Sequence, residues 1–154
     1  MKNIYLILQN VRSTHNVGSI FRTADAFGVK KIYLTGFTPE PLDLFGKLRK
    51  DFAKTALGAE KYLEWEKAKN INTLIEKMKK DGFQVAALEQ DKSSINIKKF
   101  QPRRRLALIL GNEVSGIPKS VLLKSDAVLE IPMLGKKESL NVSVAAGIAL
   151  YAMT

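Results

Sequence analysis

The sequence predicts an α/β domain built on a parallel sheet, and three observations lead to this class. Short apolar runs alternate with segments whose apolar residues recur at helical spacing, the pattern of repeated βαβ units. The runs are apolar throughout, as expected of strands covered on both faces. The length of 154 residues suits one domain of ordinary size and is short for two. We therefore expect residues 1–154 to form a single α/β/α domain.

The first half of the chain predicts a strand, a helix, a second strand and a mixed segment. Residues 4–8 form a continuous apolar run, which predicts a buried strand. The helix that follows is indicated by apolar residues at helical spacing and by a glycine that ends the pattern. These residues are Val17, Ile20, Phe21, Ala24 and Phe27, with Gly28 after them. Residues 31–34 predict the next strand, and residues 39–59 predict one short helix and a loop.

The second half continues the alternation of helices and strands. Residues 83–88, 106–110 and 127–131 predict strands, and residues 121–124 predict a short helix. An earlier helix, closed by Asp81-Gly82, is marked by Ile71, Leu74, Ile75 and Met78. One face of a final helix is expected to carry Leu140, Val144, Ile148 and Tyr151. Its apolar, Ala- and Gly-rich composition suits either core packing or close packing against a second subunit.

The chain is strongly basic. Lys and Arg total 25 against 15 Asp and Glu, which gives a net charge of +10 and an isoelectric point near 9.8. Such a charge favours a polyanionic partner, nucleic acid first, although a charged surface that serves only solubility is the alternative. Two clusters are candidate RNA contacts, and a solvated loop is the alternative for the second. They are Lys47, Arg49, Lys50 and Lys54, and Arg103, Arg104 and Arg105.

Several functional classes are disfavoured. The absence of cysteine excludes disulfides and thiolate metal sites, fits a reducing cytoplasm, and leaves no indication of a metal centre. The apolar stretch at residues 4–8 is too short for a signal sequence or a membrane span. No strand is followed by GxGxxG, and GxxxxGK[ST] is absent, so neither a dinucleotide-binding oxidoreductase nor a P-loop protein is indicated.

Three polar clusters follow predicted strands, where ligands of open α/β sheets bind. The first is NVRSTHNVGSIFRTA at residues 10–24, in which Ser13 or Thr14 suits a helix N-cap. Asn16 and Arg22 are six residues apart, so they share no helical face unless Asn16 lies in the entry loop. By itself this cluster fits a helix entry followed by a solvated arginine.

The second cluster is LALILGNEVSGIP at residues 106–118, and the third is IPMLGKKESLNVSVA at residues 131–145. The bare backbone of Gly111 allows close approach of a flat ligand, while Glu113 suits either hydrogen-bond acceptance or capping of the next turn. In the third cluster Ser139 is a candidate N-cap of the final helix. Asn141 has no evident local role there.

The order and spacing of NxGxxxRTA, LxLGNExxGIP and IPMxGxxxSLNVSVAxGI resemble the SpoU (TrmH) family of the SPOUT RNA methyltransferase superfamily. The resemblance covers nearly the whole chain, from Asn10 to Tyr151. It implies a C-terminal deep trefoil knot, S-adenosylmethionine as cofactor, a homodimer whose pocket is completed across the interface, and 2′-O-ribose methylation of tRNA or rRNA. We expect a cytoplasmic protein.

The resemblance also implies roles for individual residues. Four residues are expected to line the cofactor site, namely Leu88, Gly111, Ile131 and Leu140. Arg22 matches the arginine of the family; because a guanidinium is a poor base, we expect it to bind phosphate and stabilise developing negative charge. Asn16 and Asn141 would orient the ribose or Arg22. Glu113 would hold the arginine or a backbone amide. Ser139 would support the cofactor loop.

Two other readings remain open. The chain could be a knotted RNA-binding module without activity, although such a module has no need of all five polar motif residues. It could also methylate a base rather than a ribose, although the SLNVSVA form of the third motif favours ribose.

Overall fold

The computed structural model describes residues 1–154 and contains one seven-stranded sheet in which all strands are parallel. The strand order is β3-β2-β1-β6-β4-β7-β5. The strands are β1 Asn3–Gln9, β2 Lys31–Thr35, β3 Glu64–Ala68, β4 Gln84–Leu88, β5 Ile95–Asn96, β6 Arg105–Leu110 and β7 Ala127–Glu130. The predicted parallel α/β sheet is therefore confirmed, and so are its five apolar strands.

Five α-helices cover both faces of the sheet, which gives three layers. They are α1 Thr14–Ala26, α2 Lys50–Ala56, α3 Ile71–Lys80, α4 Lys119–Lys124 and α5 Val142–Met153. Alternating side chains of β1 divide the core: Leu6 and Leu8 face α1, α2 and α5, whereas Ile7 faces α3 and α4. No helix has the length and apolar character needed to cross a membrane.

The sequence did not predict two strands, both at the edges of the sheet. β3 carries charges rather than an apolar run, because an edge strand is covered less completely. Lys31 on β2 forms ion pairs of 2.6 Å with Glu64 and Glu66 across the β2–β3 pair. β5 has only two residues, too few for a periodic signal.

The final helix differs from the prediction at its start and in its buried face. It begins at Val142, and its N-cap is Asn141 rather than Ser139, because the Asn141 side chain accepts the hydrogen bond of Ser143 N at 2.8 Å. Leu140 therefore lies in the preceding loop. The side chains buried against the sheet are Ala146, Ala149, Leu150 and Met153. The predicted apolar face is instead exposed, at 50% for Val144, 39% for Ile148 and 78% for Tyr151.

Because all strands run in the same direction, their carboxyl ends meet at one edge of the sheet. The loops at residues 10–13, 36–49, 89–94, 111–118 and 131–141 all leave strands at this edge. The sheet therefore brings parts of all three sequence clusters together where ligand sites of open α/β sheets lie.

Candidate active site

A pocket of about 180 Å³ opens at the carboxyl edge, between the loops that follow β4, β6 and β7. All four residues expected to contact a cofactor line it: Leu88, Gly111, Ile131 and Leu140. Glu113 and Ser139 line it as well. The pocket is thus built from the second and third motifs, together with the end of β4.

Gly111 has no room for a side chain. A Cβ built on it would lie 2.5 Å from Ile117 Cγ1 and 2.8 Å from the carbonyl carbon of Gly116. The loop folds back this closely because Asn112 Oδ1 accepts hydrogen bonds from Val114 N and Ser115 N, both at 2.9 Å. The glycine of the second motif is therefore required by the tight turn that forms one wall of the pocket.

The charges around the pocket are opposite to those of the whole chain. Its lining includes Glu89, Glu113 and Glu130 but no lysine or arginine, although the chain carries a net charge of +10. Glu89 Oε2 accepts the hydrogen bond of Ile117 N at 2.9 Å. The half-buried Glu130 side chain has no hydrogen-bond or ion-pair partner. The pocket suits a cationic ligand better than a phosphate group.

Sequence reasoning missed both Glu89 and Glu130. Glu89 directly follows the predicted strand at residues 83–88, and its position at a strand end was the available signal. Glu130 was included in a predicted strand, and nothing in the sequence indicated that its side chain borders a pocket.

The Glu113 carboxylate joins the first motif to the second. Oε2 accepts a hydrogen bond from Arg12 N at 2.9 Å, and Oε1 accepts hydrogen bonds from Ser13 N at 3.1 Å and from Asn16 Nδ2 at 3.0 Å. Burial raises the pKa of Glu113, but these N–H groups outweigh burial and hold the pKa below its ordinary value. Of the two roles considered for Glu113, acceptance of backbone hydrogen bonds is the one observed.

The third motif joins the same network through two asparagines. Asn141 Nδ2 donates to Asn16 Oδ1 at 3.2 Å. Asn16 is nearly buried in the first turn of α1, where Ser13 is the N-cap and its hydroxyl accepts from Asn16 N at 3.1 Å. The structure therefore brings together Asn16, Glu113 and Asn141, and it gives Asn141 a second role as the N-cap of α5.

Arg22 lies apart from this network. Because Asn16 is inside α1, the two side chains are about 120° apart around the helix. Arg22 is exposed, has no hydrogen-bond or ion-pair partner, and borders a surface groove with Phe27, Lys54 and Thr55. Within one chain, Arg22 is therefore not among the residues that line the pocket at the carboxyl edge.

The two basic clusters lie at different places. Lys47, Arg49, Lys50 and Lys54 belong to the loop after β2 and to α2, and Lys54 shares the groove of Arg22. In the second cluster, Arg103 and Arg104 precede β6, at the amino-terminal ends of the strands and away from the pocket. Its Arg105 is the first residue of that strand rather than part of a loop, and its guanidinium lies 4.7 Å from the centre of the Phe83 ring.

Known proteins share both the sequence pattern and the fold. A sequence model of the SpoU rRNA Methylase family matches residues 3–151. The tRNA (guanosine(18)-2′-O)-methyltransferase of Aquifex aeolicus is 35% identical over 150 residues, 97% of this chain and 68% of that protein. The AdoMet-bound rRNA methyltransferase of Sinorhizobium meliloti superposes with a TM-score of 0.87 at 28% identity, covering 97% of this chain and 55% of that one.

A similar solved structure is that of the TrmH/SpoU tRNA-modifying enzyme of A. aeolicus. It superposes with a TM-score of 0.83 at 32% identity, over 99% of this chain and 74% of that chain. This chain spans little more than half the length of several other curated relatives, with 56% coverage in one example. From the match over residues 3–151 and the similarity to the Aquifex enzyme, the chain belongs to the SpoU rRNA methylase family.

Proposed function

We propose that this protein transfers a methyl group from S-adenosylmethionine to a ribose 2′-hydroxyl of tRNA or rRNA. The observation that carries this proposal is a pocket lined by three glutamates and by no lysine or arginine, in a chain of net charge +10. Such a lining suits a sulfonium cation and disfavours the phosphates of a dinucleotide. The relatives named above, a tRNA 2′-O-methyltransferase and an AdoMet-bound rRNA methyltransferase, support the same reaction.

The lining residues are consistent with this cofactor. Leu88, Ile131 and Leu140 would contact its apolar parts, and Gly111 would line the pocket beside them. Ser139 would support the loop around the cofactor. When bound, S-adenosylmethionine supplies an electrophilic methyl group. Glu130, which has no protein partner, is the carboxylate available to its positive charge.

The polar network organises the site rather than removing the proton. A carboxylate whose pKa lies below its ordinary value is a weak base, and both Glu113 oxygens already accept N–H groups. Glu113 therefore holds the strand-to-helix junction in place. We propose that Asn16 and Asn141 orient the ribose from this junction, and that Arg22 binds the neighbouring phosphate and stabilises charge on the reacting oxygen.

We further propose a homodimer in which α5 lies at the interface. The face of α5 formed by Val144, Ile148 and Tyr151 is apolar and exposed. The Tyr151 ring packs edge-on against Phe27, which borders the groove of Arg22. A second subunit on this face would cover the apolar side chains, and its own pocket would then lie close to Arg22.

Co-expression of two defective variants tests the shared site. Arg22→Ala removes the arginine, and Ile131→Trp fills the proposed cofactor pocket with a larger side chain at a partly exposed lining position. If each site combines residues of two subunits, mixed dimers regain transfer that neither variant has alone. Failure to regain activity, or a monomer by light scattering, would contradict the shared site.

RNA contacts are assigned to the two basic clusters. We propose that Lys47, Arg49, Lys50 and Lys54 contact RNA near Arg22, and that Arg103, Arg104 and Arg105 form a second contact. The affinity for RNA should then fall by about 0.7 to 0.9 log units per log of salt for each contacted phosphate. Lys54→Ala and Arg104→Ala should each reduce that slope, whereas an unchanged slope removes the corresponding cluster from the proposal.

Three finer points complete the proposal. We propose that residues 1–154 are one catalytic domain and that its C-terminal part forms a deep trefoil knot; the position of β7 between the earlier strands β4 and β5 supports this threading. We also propose a cytoplasmic location, because the reaction needs tRNA or rRNA as substrate.

Incubation with radiolabelled S-adenosylmethionine and total RNA tests the reaction itself. Mass spectrometry of the labelled RNA should locate a 2′-O-methyl nucleotide and identify the RNA. If the methyl group is found on a base instead, the protein is a base methyltransferase and the proposed ribose methylation is wrong. Cofactor binding without any transfer would instead favour an RNA-binding module without activity.

A further inference from the structure

A second cleft adjoins the cofactor pocket on the side of the loop after β2. Asn112, Glu113 and Val114 form a wall shared by both cavities, and Arg12, Ser13 and Phe37 complete the second cleft. Whatever occupies this cleft therefore lies directly beside the cofactor. Neither the three motifs nor the proposed catalytic residues include Phe37.

The Phe37 ring is exposed while its backbone is fixed. Phe37 is 60% exposed, but its backbone N donates to Asn10 Oδ1 at 3.0 Å. Lys67 Nζ donates to the carbonyl oxygens on both sides of Phe37, at 2.7 Å for Gly36 and 2.8 Å for Thr38. A large apolar ring presented to solvent on a rigid loop is prepared for a contact at low cost in conformational entropy.

The left-handed backbone before Phe37 adds to this rigidity. Asn10 and Gly36 have φ angles of 54° and 62°, respectively. A Cβ on Gly36 would overlap the Asn10 side chain that holds Phe37 N, so this position requires glycine. The ring is therefore placed by contacts specific to this loop rather than by a hydrophobic core.

The cleft also carries a free cation. The exposed Arg12 side chain has no hydrogen-bond or ion-pair partner; Glu113, the carboxylate beside it, already accepts three N–H groups. An aromatic face next to an unpaired guanidinium is the combination that binds an unpaired nucleotide, through base stacking and a phosphate contact. The net charge of +10 favours RNA over an apolar protein partner.

We infer that Phe37 is a stacking platform for an unpaired base of the RNA and that Arg12 contacts its phosphate, so that the ribose is held against the shared wall. This inference rests on the proposed function and adds to it a residue that positions the substrate. Phe37 acts through the base, and it touches neither the cofactor pocket nor the Asn16–Glu113–Asn141 network.

The test compares Phe37→Ala, Phe37→Leu and Phe37→Trp by binding of bulk tRNA and rRNA in the presence of S-adenosylhomocysteine, and by methyl transfer. Loss of one stacked base should weaken RNA binding and raise the KM for RNA between about 5- and 150-fold in the alanine and leucine variants. Tryptophan should preserve both values. Binding of S-adenosylhomocysteine and the salt slope should stay unchanged in all three, whereas Arg12→Gln should lower the slope by about 0.7 to 0.9.

Tyr62→Ala is the matched control. Tyr62 is an exposed aromatic residue, 81% accessible, and it lies before β3, at the amino-terminal ends of the strands rather than at the carboxyl ends where Phe37 lies. If Phe37→Ala binds RNA with wild-type affinity, or if Phe37→Leu does, the inference about Phe37 is wrong. Neither result would contradict the proposed methyl transfer. If the wild type binds RNA but transfers no methyl group, the proposed reaction fails and the binding comparison still decides the role of Phe37. If it binds no RNA, both fail.

Discussion

Glu113 Oε1 accepts a hydrogen bond from Asn16 Nδ2 at 3.0 Å, across 97 residues of sequence. The same carboxylate holds the backbone N–H groups of Arg12 and Ser13, and Asn16 in turn accepts from Asn141. The carboxylate thus joins the first two motifs, and Asn16 links the third motif to them. Its main effect is to fix the junction between β1 and α1 against the loop after β6.

Replacement of Glu113 by glutamine should weaken both folding and transfer. The new amide group turns at least one acceptor into a donor that faces N–H groups, which leaves polar groups unsatisfied. We expect a loss of about 1 to 3 kcal/mol in the free energy of unfolding, near the lower end because the site is partly exposed. Urea unfolding measures this loss. A variant with wild-type stability and turnover would show that the network has no organising role.

The low pKa of Glu113 predicts a pH dependence of stability. Above its ordinary value of 4.5 the side chain is ionised in both the folded and the unfolded chain, and its stabilisation is complete. As the pH falls below that value, the unfolded chain takes up the proton first, so stability decreases until the folded pKa is passed. Urea unfolding from neutral pH downward should show a flatter profile for Glu113→Gln than for the wild type.

A second carboxylate with a lowered pKa, Asp91, does not affect the difference between the wild-type and Glu113→Gln stability profiles. The Ser93 hydroxyl and backbone N–H, together with Lys119, also hold the pKa of Asp91 well below its usual range. This residue is present in both proteins, so its contribution cancels in the difference. Parallel profiles for wild type and variant would contradict the assignment to Glu113.

Substitutions at Asn141 should separate its two roles. Asn141→Ala removes the N-cap of α5, at a cost of about 0.5 to 2 kcal/mol, together with the hydrogen bond to Asn16. Asn141→Ser retains capping but is too short to donate to Asn16. We expect the serine variant to lose less stability than the alanine variant, because it keeps the cap, yet to transfer methyl groups slowly. Equal turnover by serine and asparagine would limit Asn141 to capping.

Gly111→Ala should destabilise the protein by about 1 to 3 kcal/mol, because the added methyl group meets Ile117 and the Gly116 backbone. Binding of S-adenosylhomocysteine, followed by calorimetry, should weaken in the same variant. Gly135→Ala is the matched control, since a Cβ there meets nothing within 4 Å. Unchanged binding in Gly111→Ala would place the cofactor elsewhere.

Arg22→Ala should abolish transfer and leave S-adenosylhomocysteine binding intact, because Arg22 does not line the proposed cofactor pocket. Lysine at this position should restore only part of the activity, since it cannot form the bidentate contact of a guanidinium with phosphate. Transfer assays and calorimetry check the two effects, with the exposed Lys30→Ala as control. Near-normal turnover by Arg22→Ala would remove Arg22 from the mechanism.

Local sequence patterns were sufficient for the central sheet. The strand at residues 4–8 and the helix around Phe21 were predictable because apolar periodicity reflects burial. The edge strand Glu64–Ala68 was not, because its charged residues gain their partners, such as Lys31, only when the strands pair. The N-cap of α5 was also not predictable, because serine and asparagine are similarly good capping residues and Ser139 lies two positions before Asn141.

The sequence by itself determined the α/β class and the family, because each depends on local periodicity or on spaced motifs. It also indicated four residues, Leu88, Gly111, Ile131 and Leu140, that the structure places in the lining of one pocket. Only the tertiary structure decided that Glu113, Asn16 and Asn141 form one network while Arg22 stays outside it. It also decided that the pocket is acidic within a basic chain and that Phe37 stands beside it. These relationships depend on which strand ends the sheet brings together, and parallel pairing between distant segments sets that order.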